Sequence, residues 1–347
     1  MKAAVLKELG KPLVIEDIPK PEVREKDVLM KVKASAICIS DIYSIKGERP
    51  LQLPHIMGHE AAGIVAEVGS KVRKLKPGDR ILGNAIVNCN ECYYCKKDLE
   101  QVCENHKIVG TDSGTQGAFA EYYKLPEENM YLLPDEIPFD QATVITSPLA
   151  SAYHGVRIAD IQKGDTVVLY GGGAIGYHAM LAAMTYDSVR VFMIDTADEK
   201  LQLARKAGAA EVINALKEDP VKRVYELTDG RGAEVAIEAV GLNKTIHQAI
   251  LSVRKAGRVV LMGAPWEQVC FEFENYRKDF LFKEIKISSS ITNRKNEMPH
   301  LIELVRTKKI DLSRSVSLRL PFEKVNEGIE VVKNNVGNPI RVVLQFD

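Results

Sequence analysis

The sequence predicts two domains of different class: a doubly wound α/β domain on a parallel sheet and a second, β-rich domain. Three observations carry this reading. The 347 residues are about twice the length of a typical domain. From Asp165 onward, short apolar strands alternate with helical stretches, the pattern of parallel strands joined by helical crossovers. Residues 1 to about 125 instead carry short β-rich runs punctuated by turn signals.

Taken in order, MKAAVLKELGKPLVIEDIPKP scatters charges among short apolar runs and reads as an amino-terminal hairpin, not a secretion signal. DVLMKVKASAI and AAGIVAEVG read as strands, with GER, PGD and SGTQG as turns. The α/β series then runs TVVLY, AIGYHAMLAAMTY, VRVFMID, ADEKLQLARKAG, AEVIN, VKRVYELTDG, AEVAIEAVG, KTIHQAILSVRKAG and RVVLMGAP, and EIKISSSI closes it, giving about six strands. Beyond residue 293 one amphipathic helix, EMPHLIELVRTKK, and one strand, PIRVVLQF, are too little for a third core. They are expected to return to the first domain, so the expected division is 1–150 with 293–347, and 151–292.

Lysine plus arginine and aspartate plus glutamate each total 47, which leaves no net field to draw nucleic acid or an anionic membrane. A small neutral or weakly charged molecule is the expected partner. No run reaches the ~18 apolar residues of a membrane span, so a cytoplasmic location is expected. Five of six cysteines, Cys38, Cys89, Cys92, Cys95 and Cys103, fall in the first third. In a reducing compartment this clustering points to metal binding before disulfides.

Directly after TVVLY stands Gly171-Gly172-Gly173-Ala174-Ile175-Gly176, followed by a helix. Strand, GxGxxG and helix together form the dinucleotide-binding turn of the Rossmann fold, in which the helix amino terminus offers free N–H groups to a pyrophosphate. Gly171 permits the turn, Gly173 the approach of the phosphates, and Gly176 the close packing of the helix. The next strand ends at Asp195, 19 residues beyond Gly176, where a carboxylate accepts from adenosine ribose hydroxyls. It repels a 2′-phosphate, and no arginine follows it directly in DTADEK, so NAD is expected over NADP. A glycine turn that binds no nucleotide is the bland alternative.

CNECYYCKKDLEQVC places Cys89, Cys92, Cys95 and Cys103 in a CxxCxxCx7C array, four thiolates for a closed, structural zinc site. Elsewhere Cys38 in AICISDIY, His59 in MGHEAAG and the adjacent Glu60 are donor types that suit a second zinc. By spacing alone, a packed cysteine and a satisfied histidine remain the simpler account of that group.

Together these residues resemble the zinc-containing medium-chain dehydrogenase/reductase family, which includes alcohol, sorbitol, butanediol and threonine dehydrogenases. The resemblance runs nearly end to end. Its carriers are C-x-S-D at Cys38–Asp41, GHEAAGIVAEVG from Gly58, KPGDR from Lys76, the four-cysteine lobe, GAFAEY from Gly117, the glycine turn and IRVVL. It implies that the first domain has a chaperonin-like (GroES-like) β-fold, with the active site in a cleft against the Rossmann domain.

The resemblance also implies two zincs per chain, one structural and one catalytic, and hydride transfer from a secondary alcohol or polyol to NAD. It makes Cys38, His59 and Glu60 ligands of the catalytic zinc, with Asp41 orienting the imidazole and Ser40 receiving the substrate proton. It places Arg341 near the pyrophosphate, and it implies a homodimer or homotetramer. Two residues depart from the pattern: Ser147 stands where relatives carry an acidic or cysteine ligand, seven residues before His154, and Tyr43 stands where many carry a relay histidine. The competing readings are a zinc-independent quinone or alkene reductase on the same scaffold, and a non-catalytic NAD-binding protein. Cys270 in VCFEF reads as an inward-facing strand residue, and Trp266 is assigned no role.

Overall fold

The computed structural model describes residues 1–264, 268–271 and 273–347; Trp266 lies outside them. The described chain divides into two compact units, Met1–Ser147 with Arg294–Asp347, and Pro148–Asn293.

In the first unit the strand Asp27–Ile37 is the axis of a seven-stranded sheet. It pairs antiparallel with Glu60–Val68, with Tyr122–Pro126 and with Val342–Gln345. Val342–Gln345 in turn pairs parallel with Leu318–Pro321, so the carboxy-terminal segment supplies two strands to the first unit's sheet. The core behind it gathers Ile37, Ile42, Met57, Phe119, Val325, Val342 and Leu344, all nearly or fully buried. A second, three-stranded sheet joins the hairpin Lys2–Leu6 and Val14–Asp17 to the short strand His55–Ile56.

Helices interrupt this β-rich unit more than the sequence predicts. Ile39–Lys46 follows the axial strand directly, Phe139–Val144 runs into a π-helical turn Ile145–Leu149 containing Pro148, and Val325–Lys333 packs on the core. Val325–Lys333 carries a weak local signal because Gly328 sits inside it. That glycine is needed there: a Cβ would lie 2.6 Å from the Ile37 side chain.

The second unit is a six-stranded parallel sheet in the order Glu211–Asn214, Arg190–Asp195, Thr166–Tyr170, Ala233–Glu238, Val253–Leu261, Lys286–Ser289. This is the doubly wound order, which reverses direction between the first and fourth strands of the unit. The uniformly buried TVVLY and nearly uniform RVFMID are the continuous apolar runs that a sheet covered on both faces requires. The helical reading of KTIHQAILSVRKAG runs too far: the helix Asn243–Ser252 stops and the strand begins at Val253.

Cys270 also corrects its reading. It is exposed and lies on no strand. Asn243 holds the segment instead, its Oδ1 accepting from the Cys270 N–H at 3.0 Å and its Nδ2 donating to the Gln268 carbonyl at 2.9 Å. Among the described residues no helix is long and apolar enough to cross a membrane.

Candidate metal centres and cofactor turn

Cys38 ends the axial strand and stands at the N-cap of the helix Ile39–Lys46. Asp41 sits at the third helical position, where its Oδ2 accepts the Cys38 N–H at 2.8 Å and ties down one of the helix's unpaired donors. Gly58, at φ +93, turns the chain into His59, and a Cβ there would strike the Phe119 ring. Glu60 opens the next strand in register with Ala36, so antiparallel pairing brings it beside Cys38.

The result is a compact group of donors, with Cys38 half-buried and His59 and Glu60 buried. Ligand atoms of Cys38, His59 and Glu60 all lie within 4.8 Å of one another. His59 Nδ1 lies 3.2 Å from Asp41 Oδ1, which turns Nε2 toward Glu60 Oε1 at 3.6 Å and Ser40 Oγ at 3.5 Å. Burial works to lower the His59 pKa, yet the Asp41 carboxylate, by charge and hydrogen bond, holds it well above the usual imidazole value. Burial likewise opposes ionisation of the Cys38 thiol, and the Arg341 guanidinium overcomes it, lowering the pKa.

Arg341 has a partner that sequence analysis did not name. Its Nη2 donates to Glu60 Oε1 at 2.5 Å and lies 3.8 Å from Cys38 Sγ, with both charged side chains almost completely buried. The two residues are 281 positions apart, and no local pattern links them. Glu60 Oε2 is buried with no hydrogen-bond partner among the described residues. A thiolate, an imidazole oriented by a carboxylate and a carboxylate oxygen with an open lone pair form a set that suits zinc. Tyr43 is half-buried on the helix Ile39–Lys46, Ser147 lies in the π-helical turn, and His154 is buried on the helix Ala150–Ile158.

The four-cysteine lobe closes on itself. Sulfur–sulfur distances are 3.5 Å for Cys89–Cys103, 3.9 Å for Cys92–Cys103 and 4.0 Å for Cys89–Cys95. A tetrahedron with Zn–S bonds of about 2.3 Å has edges of about 3.8 Å. Backbone N–H groups aim at the sulfurs: Cys92 N–H at Cys89 Sγ, 3.3 Å, and Cys89 N–H at Cys103 Sγ, 3.4 Å. The N–H groups of Cys95 and Glu104 lower the Cys92 pKa to about 6, whereas burial and then the neighbouring thiols raise that of Cys95 to about 12. Four thiols this close do not all ionise without a cation among them.

The lobe is pinned to the start of the returning segment. Glu100 Oε1 accepts the Lys295 N–H at 2.9 Å, and Glu128 Oε1 accepts from both Asn90 Nδ2 and Lys295 Nζ, at 2.8 and 2.9 Å.

In the second unit the glycine turn follows the strand Thr166–Tyr170. Gly171 has φ +99, a left-handed conformation, and a Cβ on Gly176 would drive into the Gly171 carbonyl oxygen. Gly173 has open space on its side-chain face, and it precedes the helix Ala174–Ala183, whose first residues are Ala174, Ile175 and Gly176. Asp195, at the tip of the neighbouring strand, accepts from the Gly172 N–H at 2.6 Å through Oδ2, and from Thr196 and Ala197 N–H at 2.8 and 2.9 Å through Oδ1. The turn and the carboxylate that sequence spacing pairs therefore lie side by side.

Comparison with known proteins identifies the family. Residues 24–135 match the alcohol dehydrogenase GroES-like domain family, and residues 174–307 the zinc-binding dehydrogenase family. The L-threonine 3-dehydrogenase of Bacillus subtilis is 32% identical over 96% of each chain. Among solved structures, the alcohol dehydrogenase TADH from Thermus sp. ATN1 is 28% identical, covers 99% of each chain and superposes with a TM-score of 0.92. A zinc-binding dehydrogenase from Sinorhizobium meliloti bound to NADP is 29% identical over 99% of each chain, also at 0.92. By these matches, its GroES-like and Rossmann units and its cysteine lobe, the chain is an oxidoreductase of the zinc-containing medium-chain dehydrogenase/reductase family.

Proposed function

We propose that this chain is an NAD-linked, zinc-dependent dehydrogenase that interconverts a secondary alcohol or polyol with its ketone. The observation that carries the reading is the buried convergence of Cys38 Sγ, His59 Nε2 and Glu60 around an open carboxylate lone pair, with Asp41 fixing the imidazole. Cys38, His59 and Glu60 would hold the catalytic zinc; Cys89, Cys92, Cys95 and Cys103 would hold a structural one. When bound at the first site, zinc supplies Lewis-acid polarisation that lowers the pKa of an alcohol hydroxyl. NAD supplies the hydride acceptor.

The chain's own residues supply the rest. Asp41 keeps the His59 proton on Nδ1 and leaves Nε2 as the ligand atom. Ser40 Oγ, 3.5 Å from His59 Nε2, is placed to take the substrate proton and pass it outward. Arg341 balances the charge of Glu60 and Cys38 in a buried site, a role that takes precedence here over the pyrophosphate contact implied by resemblance. Gly171, Gly173 and Gly176 admit the cofactor phosphates to the N–H groups of Ala174 and Ile175.

The Asp195 carboxylate takes the ribose hydroxyls and disfavours a 2′-phosphate, which supports NAD although the Sinorhizobium meliloti relative was solved with NADP. Relatives named for threonine and 2R,3R-butanediol support a small hydroxyl-bearing substrate. We read residues 1–150 with 293–347 as the zinc-holding domain, 151–292 as the cofactor domain, and the assembly as a homodimer or homotetramer.

The test is elemental zinc analysis of gently purified protein, with NAD reduction assayed across diols, sugar alcohols, secondary alcohols and threonine. Two zincs per chain and activity lost on chelation and in Cys38→Ser are expected. Alcohol oxidation retained by a metal-free Cys38→Ser protein would sink the mechanism. The neutral hydroxyl of Ser147 and the Arg341–Glu60 pair favour one second reading, a zinc-independent reductase; a single lobe-bound zinc and no alcohol activity after zinc addition would put that reading, or a non-catalytic NAD-binding role, in the lead.

A further inference from the structure

Glu238 is the last residue of the strand Ala233–Glu238, and its side chain is completely buried at the carboxyl edge of the parallel sheet. Its Oε1 accepts three hydrogen bonds from the loop that follows: Val240 N–H at 2.9 Å, Gly241 N–H at 2.8 Å and Thr245 Oγ1 at 2.7 Å. Its main-chain carbonyl accepts two more from the loop after the next strand, Met262 N–H at 2.8 Å and Gly263 N–H at 3.0 Å. Gly263 presses on the carboxylate so closely that a Cβ there would lie 2.5 Å from Oε2. Val240 is in turn packed on the glycine turn: a Cβ on Gly171 would lie 2.6 Å from Val240 Cγ2. The N–H of Ala239 donates to the Tyr170 carbonyl at 2.9 Å. Glu238 and its neighbour Ala239 thus tie together the loops that leave three adjacent strands, the carboxylate holding the first of them and main-chain groups the other two.

Those loops have a defined place relative to a dinucleotide. In a doubly wound sheet the cofactor lies across the carboxyl ends of the strands with its pyrophosphate at the switch point. Asp195 belongs to the half before the switch, where the adenosine ribose binds. The strands Ala233–Glu238 and Val253–Leu261 belong to the half beyond it, so the nicotinamide half meets the loops 239–245 and 262–264. The hydrogen bonds of the Glu238 carboxylate go wholly to the loop 239–245, through Oε1, while Oε2 is buried with no partner among the described residues. A carboxylate used only to hold the sheet together would bond within the ladder, as Glu234 does toward Thr166.

We propose that Glu238 is a positioning residue for the nicotinamide half of the cofactor: its carboxylate fixes the loop Val240–Thr245, beside the Met262–Gly263 segment held by the same residue's main-chain carbonyl, and so sets the surface on which the nicotinamide riboside rests. The proposal rests on the NAD reading above and makes a prediction that reading does not. Perturbing Glu238 weakens ligands that carry the nicotinamide half and spares those that end at the adenosine half.

The test measures Kd for NADH and for AMP on the full chain, with the emission shift of bound NADH as a second readout. Glu238→Gln keeps an acceptor for all three donors and is expected to stay within threefold of wild type for both ligands. Glu238→Leu removes the acceptor and is expected to weaken NADH at least tenfold, abolish its emission shift and change AMP less than twofold. Thr245→Val deletes one donor at the rim without emptying the buried position, and is expected to weaken NADH about threefold with AMP unchanged, which keeps the test decisive if Glu238→Leu fails to fold. Equal loss of AMP and NADH, or no loss of NADH in both Glu238→Leu and Thr245→Val, would overturn the proposal. Wild-type protein that binds AMP but not NADH would overturn the cofactor reading and the proposal with it.

Discussion

Replacing Arg341 with methionine tests the most consequential contact of the candidate metal centre. The substitution keeps an unbranched side chain of similar length in a buried position and removes the one cation bonded to Glu60, at 2.5 Å. Glu60 is fully buried and Oε2 already lacks a partner, so the variant leaves a buried carboxylate with only the His59 imidazole, Nε2 3.6 Å from Oε1, beside it. Breaking one side of a buried ion pair costs about 3–5 kcal/mol. Zinc held by the same residues, as proposed, would supply the missing positive charge and would no longer compete with a guanidinium for Oε1. Binding to the folded state alone at one hundred times Kd returns about 2.7 kcal/mol.

The assay is urea unfolding of wild type, Arg341→Met, Glu60→Gln and the double variant, each in chelator and in buffered zinc. The cysteine lobe contributes alike to all four and cancels in the differences. Arg341→Met in chelator is expected to lose several kcal/mol, most of the loss is expected to disappear in the Glu60→Gln background, and zinc is expected to stabilise Arg341→Met more than wild type. A loss under about 1 kcal/mol, or a loss undiminished by Glu60→Gln, would refute the account of Arg341 as the counter-charge of this site.

Cys92→Ser is expected to lower zinc content by one atom per chain and to speed proteolysis between residues 89 and 103, while hydrogen exchange in the parallel sheet stays unchanged; retention of full zinc content would remove the structural-zinc assignment. The Glu234 carboxyl is held below the usual carboxylate range because the Thr166 N–H and Arg254 outweigh the opposing effect of burial. Its stabilisation is therefore complete above its unfolded value of about 4.3 and is lost as pH falls through the lower folded value. Glu234→Gln should cost about 1–2 kcal/mol at pH 7 and progressively less on acidification below pH ~4, as read by urea midpoints; a difference independent of pH would contradict the assignment.

What the sequence made legible was local. The glycine turn and Asp195 are separated by one helix and one strand, and the parallel order of the sheet fixes their neighbourhood. The four cysteines lie within one short lobe, so spacing nearly determines their convergence. Cys38 and His59 were harder, because the antiparallel register that sets Ala36 opposite Glu60 carries no signature of its own, and only resemblance promoted them. The Arg341–Glu60 pair and the clamp at Glu238 were not legible, since each depends on which strand ends meet at one edge of a sheet. Glu238 did leave a trace: an acid closes the apolar run Val235–Ile237, where burial without partners would be costly. The helix Val325–Lys333 escaped because Gly328 weakens a propensity signal that close packing on Ile37 then overrides.

The strand Val342–Gln345, wedged between Asp27–Ile37 and Leu318–Pro321, also sets a timetable. Arg341 lies 303 positions beyond Cys38, so at about 5–20 residues per second a ribosome delivers the guanidinium roughly 15–60 s after the thiol. During that interval Cys38, His59 and Glu60 exist without their resident cation and without the strand that seals their sheet. A newborn chain thus holds these three side chains for that interval before it acquires the guanidinium that pairs with Glu60.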